Sequence, residues 1–401
     1  MKFELYWPVK LVFGPGEFKR AGAEAKLLGK KAFIVTGKSA VQKLGFLEKL
    51  LAQLKKEGVE AKTFEKVEPN PRSTTVDEGG KLAKSLGCDF IIALGGGSAM
   101  DAAKGIALVA GAPKNASVWD YVFNARNAPV IDFKPLPILM IPTLPATGSE
   151  SNAIGVITNW ELKQKIHIVH PSLFPATSII DPELTYSLSK EQTAYAGVDI
   201  VCHLIEPYLT NLGDVPVKDR LAEDIILKAI KNTLPAMENP ANPEYRSLMS
   251  FSGTIACSPI RFSGWNGKGY LHWIEHCLSA WTDIQHSEGL ACMLVAWLKY
   301  MKKYEFFAKR CSLFGEKVFG SKETELHIEN WFRTLGVNTR LKNIEGALIG
   351  KMADTLMQMY SGGTDAIDLP SGEKMYREDF VNIYEMAAGK SDRGRKTDKN
   401  I

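Results

Sequence analysis

Asp199 and His203 stand four residues apart in a stretch of helical periodicity, 190–206. That spacing brings two side chains out on one helix face a turn apart, where both can grip a single ion. His272 and His276 repeat the spacing in LHWIEHCLSAW, and His286 follows ten residues later, ahead of the apolar helical run GLACMLVAWLKY. Four of the seven histidines thus fall between positions 203 and 286. One carboxylate with several imidazoles suits divalent iron or zinc, and an open coordination position lets such an ion polarise a carbonyl or alkoxide oxygen. A single helical histidine is more often a hydrogen-bonded structural residue, so it is the spacing of the set that favours a metal. His167, His170 and His327 lack that support and are read as structural.

A second chemistry lies in the first half of the chain. DFIIAL (89–94) is an isoleucine-rich run too short for most helices, and Gly95, Gly96, Gly97 and Ser98 follow it directly, ahead of the helical pattern AMDAAKGIALVA. A strand that stops at three glycines and restarts as a helix lets backbone N–H groups approach a phosphate, with the helix N-terminus adding partial positive charge. The string is neither G-x-G-x-x-G nor the P-loop pattern, and taken alone it is also compatible with a plain tight turn. PTLPATGSE (142–150), with Thr143 and Thr147, follows another predicted strand, LPILMIP (136–142). Its hydroxyls and free N–H groups suit a nucleotide crevice at the carboxyl end of a sheet, the plainer alternative being a polar connecting loop. After the strand KAFIVTG come Lys38 and Ser39, so the segment Gly37-Lys38-Ser39 offers no carboxylate for a ribose 2′-hydroxyl. A 2′-phosphate needs that acid absent and donors present, which favours NADP(H) over NAD(H).

The elements that must position these residues fall into two kinds. Up to about residue 185, β-rich runs (31–37, 60–67, 89–94, 136–142) alternate with helical patterns (45–56, 73–86), the signature of a layered α/β domain with a mostly parallel sheet. AIGVITN and KIHIV (153–159 and 165–169) read as an antiparallel pair. Ser189 with Gln192 forms a plausible capping box, and from there helical periodicity dominates. The expected organisation is an α/β dinucleotide-binding domain, 1–185, followed by an all-α metal-binding and substrate domain, 186–401.

The chain's 401 residues are enough for two domains, each with a core of its own. Lys+Arg 49 against Asp+Glu 45 leaves a net charge of +4 with no basic patch of the kind nucleic acid requires. The basic tail from Lys390 to Asn400 reads as a frayed end. The six cysteines (88, 202, 257, 277, 292, 311) include no C-x-x-C pair, which points to reduced thiols in a cytoplasmic protein. Neither a secretion signal nor a membrane span is expected.

With these motifs assembled, the sequence resembles the iron-containing (group III) alcohol dehydrogenases, from about Val9 to about Met386. GGGSAMDAAK (95–104) is similar to that family's pyrophosphate turn, and PTLPATGSE (142–150) to its nucleotide-contacting segment. GVDIVCHLIE (197–206) and HWIEHCLSAWTDIQHSEGLA (272–291) are similar to its two metal segments. The resemblance implies a dehydroquinate-synthase-like fold and metal ligands at Asp199, His203, His272 and His286, holding Fe2+ or alternatively Zn2+. It also implies a proton-relay role for His276 beside substrate and nicotinamide, cofactor contacts from Asp101 and Lys165, and a homodimer. The H-W-I-E-H and L-P-A-T-G-S-E-S-N strings look most like the NADP-linked butanol dehydrogenase and aldehyde reductase branch, whose substrates are small primary alcohols and aldehydes. Leu144-Pro145 where many members have Thr-Ala, Ala196 before Gly197, and Ser287 after His286 depart from the pattern. Rival readings are a glycerol-dehydrogenase-like polyol oxidoreductase, a dehydroquinate-synthase-like lyase, and a non-catalytic nucleotide-binding protein.

Overall fold

A computed structural model describes residues 2–113, 115–123, 125 and 129–390; apart from Lys390, the basic tail lies outside them. The first half is built on a six-stranded sheet of β1 (Lys10–Phe13), β2 (Lys31–Gly37), β3 (Glu60–Val67), β4 (Phe90–Gly95), β5 (Ile138–Pro142) and β8 (Thr177–Ile180). Every pairing is parallel, in the order β1-β8-β5-β4-β2-β3. Parallel strands need crossovers, and the crossovers cover both faces. Alternation along a strand therefore divides its residues between two cores. Phe90, Ile92 and Leu94 pack against Ala32 and Ile34 on one side, under α1 (Ala21–Lys26) and α3 (Phe46–Lys56), with the short α2 (Ala40–Lys43) preceding α3. Ile91 and Ala93 pack with Phe33 and Val35 on the other, under α4 (Ser73–Ser85) and α5 (Gly97–Gly111).

From β2 the chain steps outward to β3, then returns to lay β4 along the opposite side of β2. This reversal opens a crevice at the carboxyl ends of β2 and β4, where open α/β sheets bind ligands. Gly37 and Gly95 end those two strands. The antiparallel hairpin β6 (Ile154–Asn159) and β7 (Gln164–Val169) projects beside α5.

The second half is helical: α6 (Lys190–Thr210), α7 (Pro216–Glu238), α8 (Pro243–Ala256), α9 (Pro259–Phe262), α10 (Tyr270–Thr282), α11 (His286–Met301), α12 (Glu305–Phe319), α13 (Thr324–Leu335), α14 (Gly346–Tyr360) and α15 (Arg377–Ala387). The Ser189–Gln192 capping box opens α6, each side chain bonding the other residue's backbone N–H at 3.1 Å. Every residue of α6 from Thr193 to Thr210 is buried. A helix without a solvent face is the core of its domain, so any charge it carries needs a partner supplied by its neighbours.

Three elements differ from the sequence expectation. β1 and β8 are four-residue strands that pair with each other at one side of the sheet; too short to show a periodicity of their own, they are ordered by that pairing. The small hairpin of β9 (Ala366–Asp368) and β10 (Lys374–Tyr376) interrupts the otherwise helical second half.

Candidate active site

The four predicted metal ligands come from three helices. Asp199 and His203 lie one turn apart on α6, His272 is on α10, and His286 is the first residue of α11. The turn between α10 and α11 is only three residues long. Asp283 ends α10 in the left-handed conformation, φ 58°, and the Gln285 side chain caps α11 by accepting from Glu288 N. Asp199, His272 and His286 each offer a ligand atom within 4.8 Å of the others. His203 joins through Nδ1, 3.5 Å from Asp199 Oδ1, with its ring stacked on His272 at 4.8 Å.

Both carboxylate oxygens of Asp199, His203 Nδ1 and His272 Nε2 are buried with no hydrogen-bond partner. Unpaired buried polar atoms are costly and rare, and here they converge. One carboxylate and three imidazoles suit Fe2+ or Zn2+ by softness and number, so the residues fit the metal that the resemblance implies. Burial alone would raise the Asp199 carboxyl; the His203, His272 and His286 imidazoles override it and hold it well below the usual carboxylate range.

Behind the ligands stand two carboxylates that the sequence reading quoted without giving them a role. Glu206 Oε1 lies 2.6 Å from His272 Nδ1 and 2.5 Å from Arg261 Nη2. Glu275 Oε2 contacts His286 Nδ1 and lies 3.4 Å from Lys165 Nζ. Burial would lower His272, but the Glu206 charge raises it to about 9. Burial would raise Glu275, yet His286 and Lys165 bring it down to about 2. Such outer carboxylates fix imidazole tautomer and orientation. The available signal was spacing, since Glu206 lies three residues after His203 and Glu275 three after His272. Pro207 supplies a further device. Having no N–H, it cannot bond the carbonyl of His203 four residues back, and Arg261 Nε takes that oxygen at 2.5 Å.

Between the two halves lies a cavity of about 390 Å3. Gly97, Ser98, Asp101 and Thr147 line its sheet side; His203, His272, His276 and His286 line its helical side. Gly97 starts α5, and a Cβ there would stand 2.4 Å from Thr147 Cγ2, so only glycine admits this approach of loop to helix. Asp101 binds the second loop to α5, accepting from Ser149 Oγ at 2.7 Å and Val156 N at 3.1 Å. Gly37, Lys38, Ser39, Gly95, Gly96 and Thr143 stand at the carboxyl ends of β2, β4 and β5, outside the enclosed wall. Lys165 reaches the cavity held by Asn70 Oδ1 at 2.9 Å. His276 Nδ1 lies 3.2 Å from Tyr360 Oη, and burial, then Lys165 and His286, keep its imidazole neutral. His167, read from sequence as structural, also lines the cavity, stacked on Phe123 at 4.8 Å. His170 and His327 are not among the lining residues.

Two family models match almost the whole length: "iron-containing alcohol dehydrogenase" over residues 8–182 and "Fe-containing alcohol dehydrogenase family, C-terminal" over 193–388. NADH-dependent butanol dehydrogenase A of Clostridium acetobutylicum is 32% identical over 96% of this chain and 99% of its own. NADPH-dependent aldehyde reductase YqhD of Escherichia coli is 31% identical over 85% of this chain and 88% of its own. The crystal structure of NADH-dependent butanol dehydrogenase A from Thermotoga maritima superposes with a TM-score of 0.88 at 32% identity, covering 96% of this chain and 98% of that one. With both halves matched in order and the architecture shared end to end, the chain belongs to the iron-containing alcohol dehydrogenase family, NAD(P)-dependent oxidoreductases of the dehydroquinate-synthase-like fold that act on alcohols and aldehydes.

Proposed function

We propose that Asp199, His203, His272 and His286 together hold one divalent cation, Fe2+ ahead of Zn2+, in an enzyme that interconverts small primary aldehydes and alcohols with NADP(H). The observation that carries this reading is the convergence of unpartnered buried ligand atoms on one side of a cavity whose other side is a glycine-started helix N-terminus. When bound, the cation supplies Lewis-acid polarisation of the substrate oxygen, and the nicotinamide exchanges the hydride.

The remaining work falls to the chain's own residues. The N–H groups that open α5, with Gly95 to Ser98 free of side-chain obstruction, receive the pyrophosphate. Thr143 and Thr147 flank it from the second loop, and Asp101 holds that loop in place. Lys165, held by Asn70 Oδ1 at 2.9 Å, brings its ammonium to the cavity near the nicotinamide end. His276 is the proposed catalytic proton carrier: with Nδ1 facing Tyr360 Oη, its Nε2 is the atom left to take up or release a proton. Glu206 and Glu275 orient His272 and His286.

NADP(H) preference rests on Gly37, Lys38 and Ser39, where Lys38 and Ser39 are exposed. The Glu65 carboxylate on adjacent β3 is engaged by Gln42 Nε2 at 2.8 Å. Comparing kcat/KM for NADPH and NADH with a short aldehyde tests it. The reading expects NADPH to be favoured at least tenfold and Lys38→Asp to erase the preference; equal or better use of NADH contradicts it.

We further propose two domains divided at 185/186, a homodimer and a cytoplasmic location. Supporting the first are the confinement of the parallel sheet to residues before Tyr186 and the start of α6 at Lys190. Supporting the second are β1 at one edge of the sheet and the exposed Phe3, Leu5 and Tyr6 beside it; light scattering that gave a monomer mass would contradict it. Supporting the third are six unpaired, buried cysteines. Among the described residues, no helix is long and apolar enough to cross a membrane.

A further inference from the structure

The two halves meet on both sides of the crevice at the ends of β2 and β4, and the two junctions differ in kind. On one side the loop after β5 is built into the end of α8. Ser151 Oγ donates to Thr254 O at 2.7 Å, Asn152 Nδ2 to Cys257 O at 3.0 Å, and Thr254 Oγ1 to Glu150 Oε1 at 2.7 Å. These side chains are all buried, and a Cβ on Gly148 would stand 2.8 Å from Gly253 O. Such a junction has no room to slide. On the other side the loop after β3 reaches across to the turn between α10 and α11. In the strand order β5-β4-β2-β3 the two loops are three strand spacings apart, about 14 Å, with the ends of β4 and β2 between them.

The second junction is polar and partly open to solvent. Asn70 Nδ2 donates to Asp283 Oδ1 at 3.1 Å and to Ile284 O at 3.0 Å, two residues before His286. Arg72 donates from Nη2 to Asp283 Oδ2 at 2.6 Å and from Nη1 to Asn70 O at 3.2 Å. The β6–β7 hairpin backs this loop: Thr158 N donates to Pro71 O at 2.8 Å, and the Trp160 ring lies 4.3 Å from the Arg72 guanidinium. Lys163 Nζ is 3.2 Å from the same ring. Of the five non-glycine residues with positive φ among the described residues, three stand here: Asn70 at 51°, Lys163 at 54° and Asp283 at 58°. Residues held in that region cluster at clamps and switch segments, where their surroundings over-determine them. The Arg72 side chain is 16% exposed and that of Asp283 43%. An ion pair at such exposure is weak and screened by salt, so water replaces either partner at little cost. With the β5 side fixed, the halves part on the β3 side, as a hinge does.

We propose that Asn70 and Arg72, closing on Asp283, form a clasp over the β3 side of the crevice, and that the cofactor enters and leaves while the clasp is open. Arg72 and Asp283 do not line the cavity; they are positioning residues that act by holding the cleft shut. Asn70 joins the clasp to the site, since its Oδ1 accepts from Lys165 Nζ at 2.9 Å. The proposal rests on the cofactor crevice read above and adds the step that retains the cofactor there.

Stopped-flow displacement of NADPH by excess NADP+ from the metal-loaded enzyme, followed by nicotinamide fluorescence, reads the clasp directly. Loss of one exposed ion pair shifts an equilibrium by up to about fivefold, so Arg72→Met and Asp283→Asn release NADPH about two- to fivefold faster than wild type. Asparagine keeps both an acceptor for Asn70 and the left-handed turn, so the fold is retained. Asp283→Lys sets like charges against each other and speeds release roughly tenfold, and Arg72→Glu/Asp283→Lys restores it to within about twofold. In a second measurement Arg72→Cys/Asp283→Cys is bridged by a bifunctional methanethiosulfonate with NADPH bound, the six native thiols being buried. The bridged enzyme keeps NADPH through gel filtration and releases it on reduction. Release unchanged in Asp283→Lys with folding intact, no recovery in the exchanged pair, or NADPH escaping the bridged enzyme at the unbridged rate overturns the clasp and leaves the crevice reading in place. Failure of wild type to bind NADPH overturns both.

Discussion

Replacing Glu206 by glutamine separates what this buried carboxylate does for the metal ligands from what it does for the fold. Glu206 is fully buried and serves two partners, His272 Nδ1 at 2.6 Å and Arg261 Nη2 at 2.5 Å. Glutamine keeps the shape and one carbonyl acceptor but loses the charge that holds His272 basic. Loss of an outer-shell partner typically weakens metal affinity 10–100-fold, about 1.4–2.7 kcal/mol at roughly 1.4 kcal/mol per decade. The same change strands the Arg261 cation. Removing one member of a buried pair costs about 3–5 kcal/mol; the amide oxygen can still accept from the guanidinium, so the lower end is expected. Competition titration of Zn2+ against a chelator reads the first effect and urea unfolding the second. In Glu206→Gln/Arg261→Met the stranded charge is gone, so most of the stability returns, short of about 1 kcal/mol for the His203 carbonyl that Arg261 capped, while metal affinity stays low. A metal Kd within twofold of wild type in Glu206→Gln would refute the orienting role.

Three further outcomes follow from the same geometry. Lys104 is fully buried with its ammonium bonded to Ser149 O and Oγ, Asn152 Oδ1 and Ile154 O; Lys104→Met removes that donor from all four, of which Asn152 Oδ1 keeps Ile154 N, and should cost about 3 kcal/mol or more in denaturant unfolding, and a loss under 1 kcal/mol would contradict it. Gly97→Ala forces a Cβ onto Thr147 and should raise KM for NADPH at least tenfold with metal content unchanged; an unaltered KM would move the pyrophosphate elsewhere. Burial depresses His167 from 6.5 to about 4, so between those values the unfolded chain binds a proton that the native state does not, and stability falls as pH drops from 6.5 to 4. His167→Phe should flatten that limb of a Tm-against-pH curve, and an identical slope would show that His167 titrates normally.

What was legible in the sequence was local. The Ser189–Gln192 box, the run from Phe90 to Leu94 and the glycines after it are decided by residues within a turn or two of one another, and the structure forms a capped helix, a central strand and a strand-to-helix turn at those places. The i, i+4 pairs placed Asp199 with His203 and His272 with His276, but the meeting of α6, α10 and α11 depends on packing that no spacing reports. For the same reason Glu206 and Glu275 were passed over: each is an ordinary helical glutamate until a neighbouring helix sets an imidazole against it. Arg261 acquires one of its two partners because Pro207 frees a carbonyl on another helix. His167, read as structural, lies at the cavity because of where the β6–β7 hairpin folds, which a lone strand histidine does not announce. β1 and β8 are ordered by pairing with each other and, for β8, with β5 on its other side.

Metal content per chain, measured by mass spectrometry alongside NADPH-linked aldehyde reduction after anaerobic loading with Fe2+, tests the four-ligand site most directly. One ion per chain with turnover in the wild type, and loss of both in His272→Ala and in His286→Ala, is the predicted result. Full turnover by either variant after chelation and dialysis would contradict it.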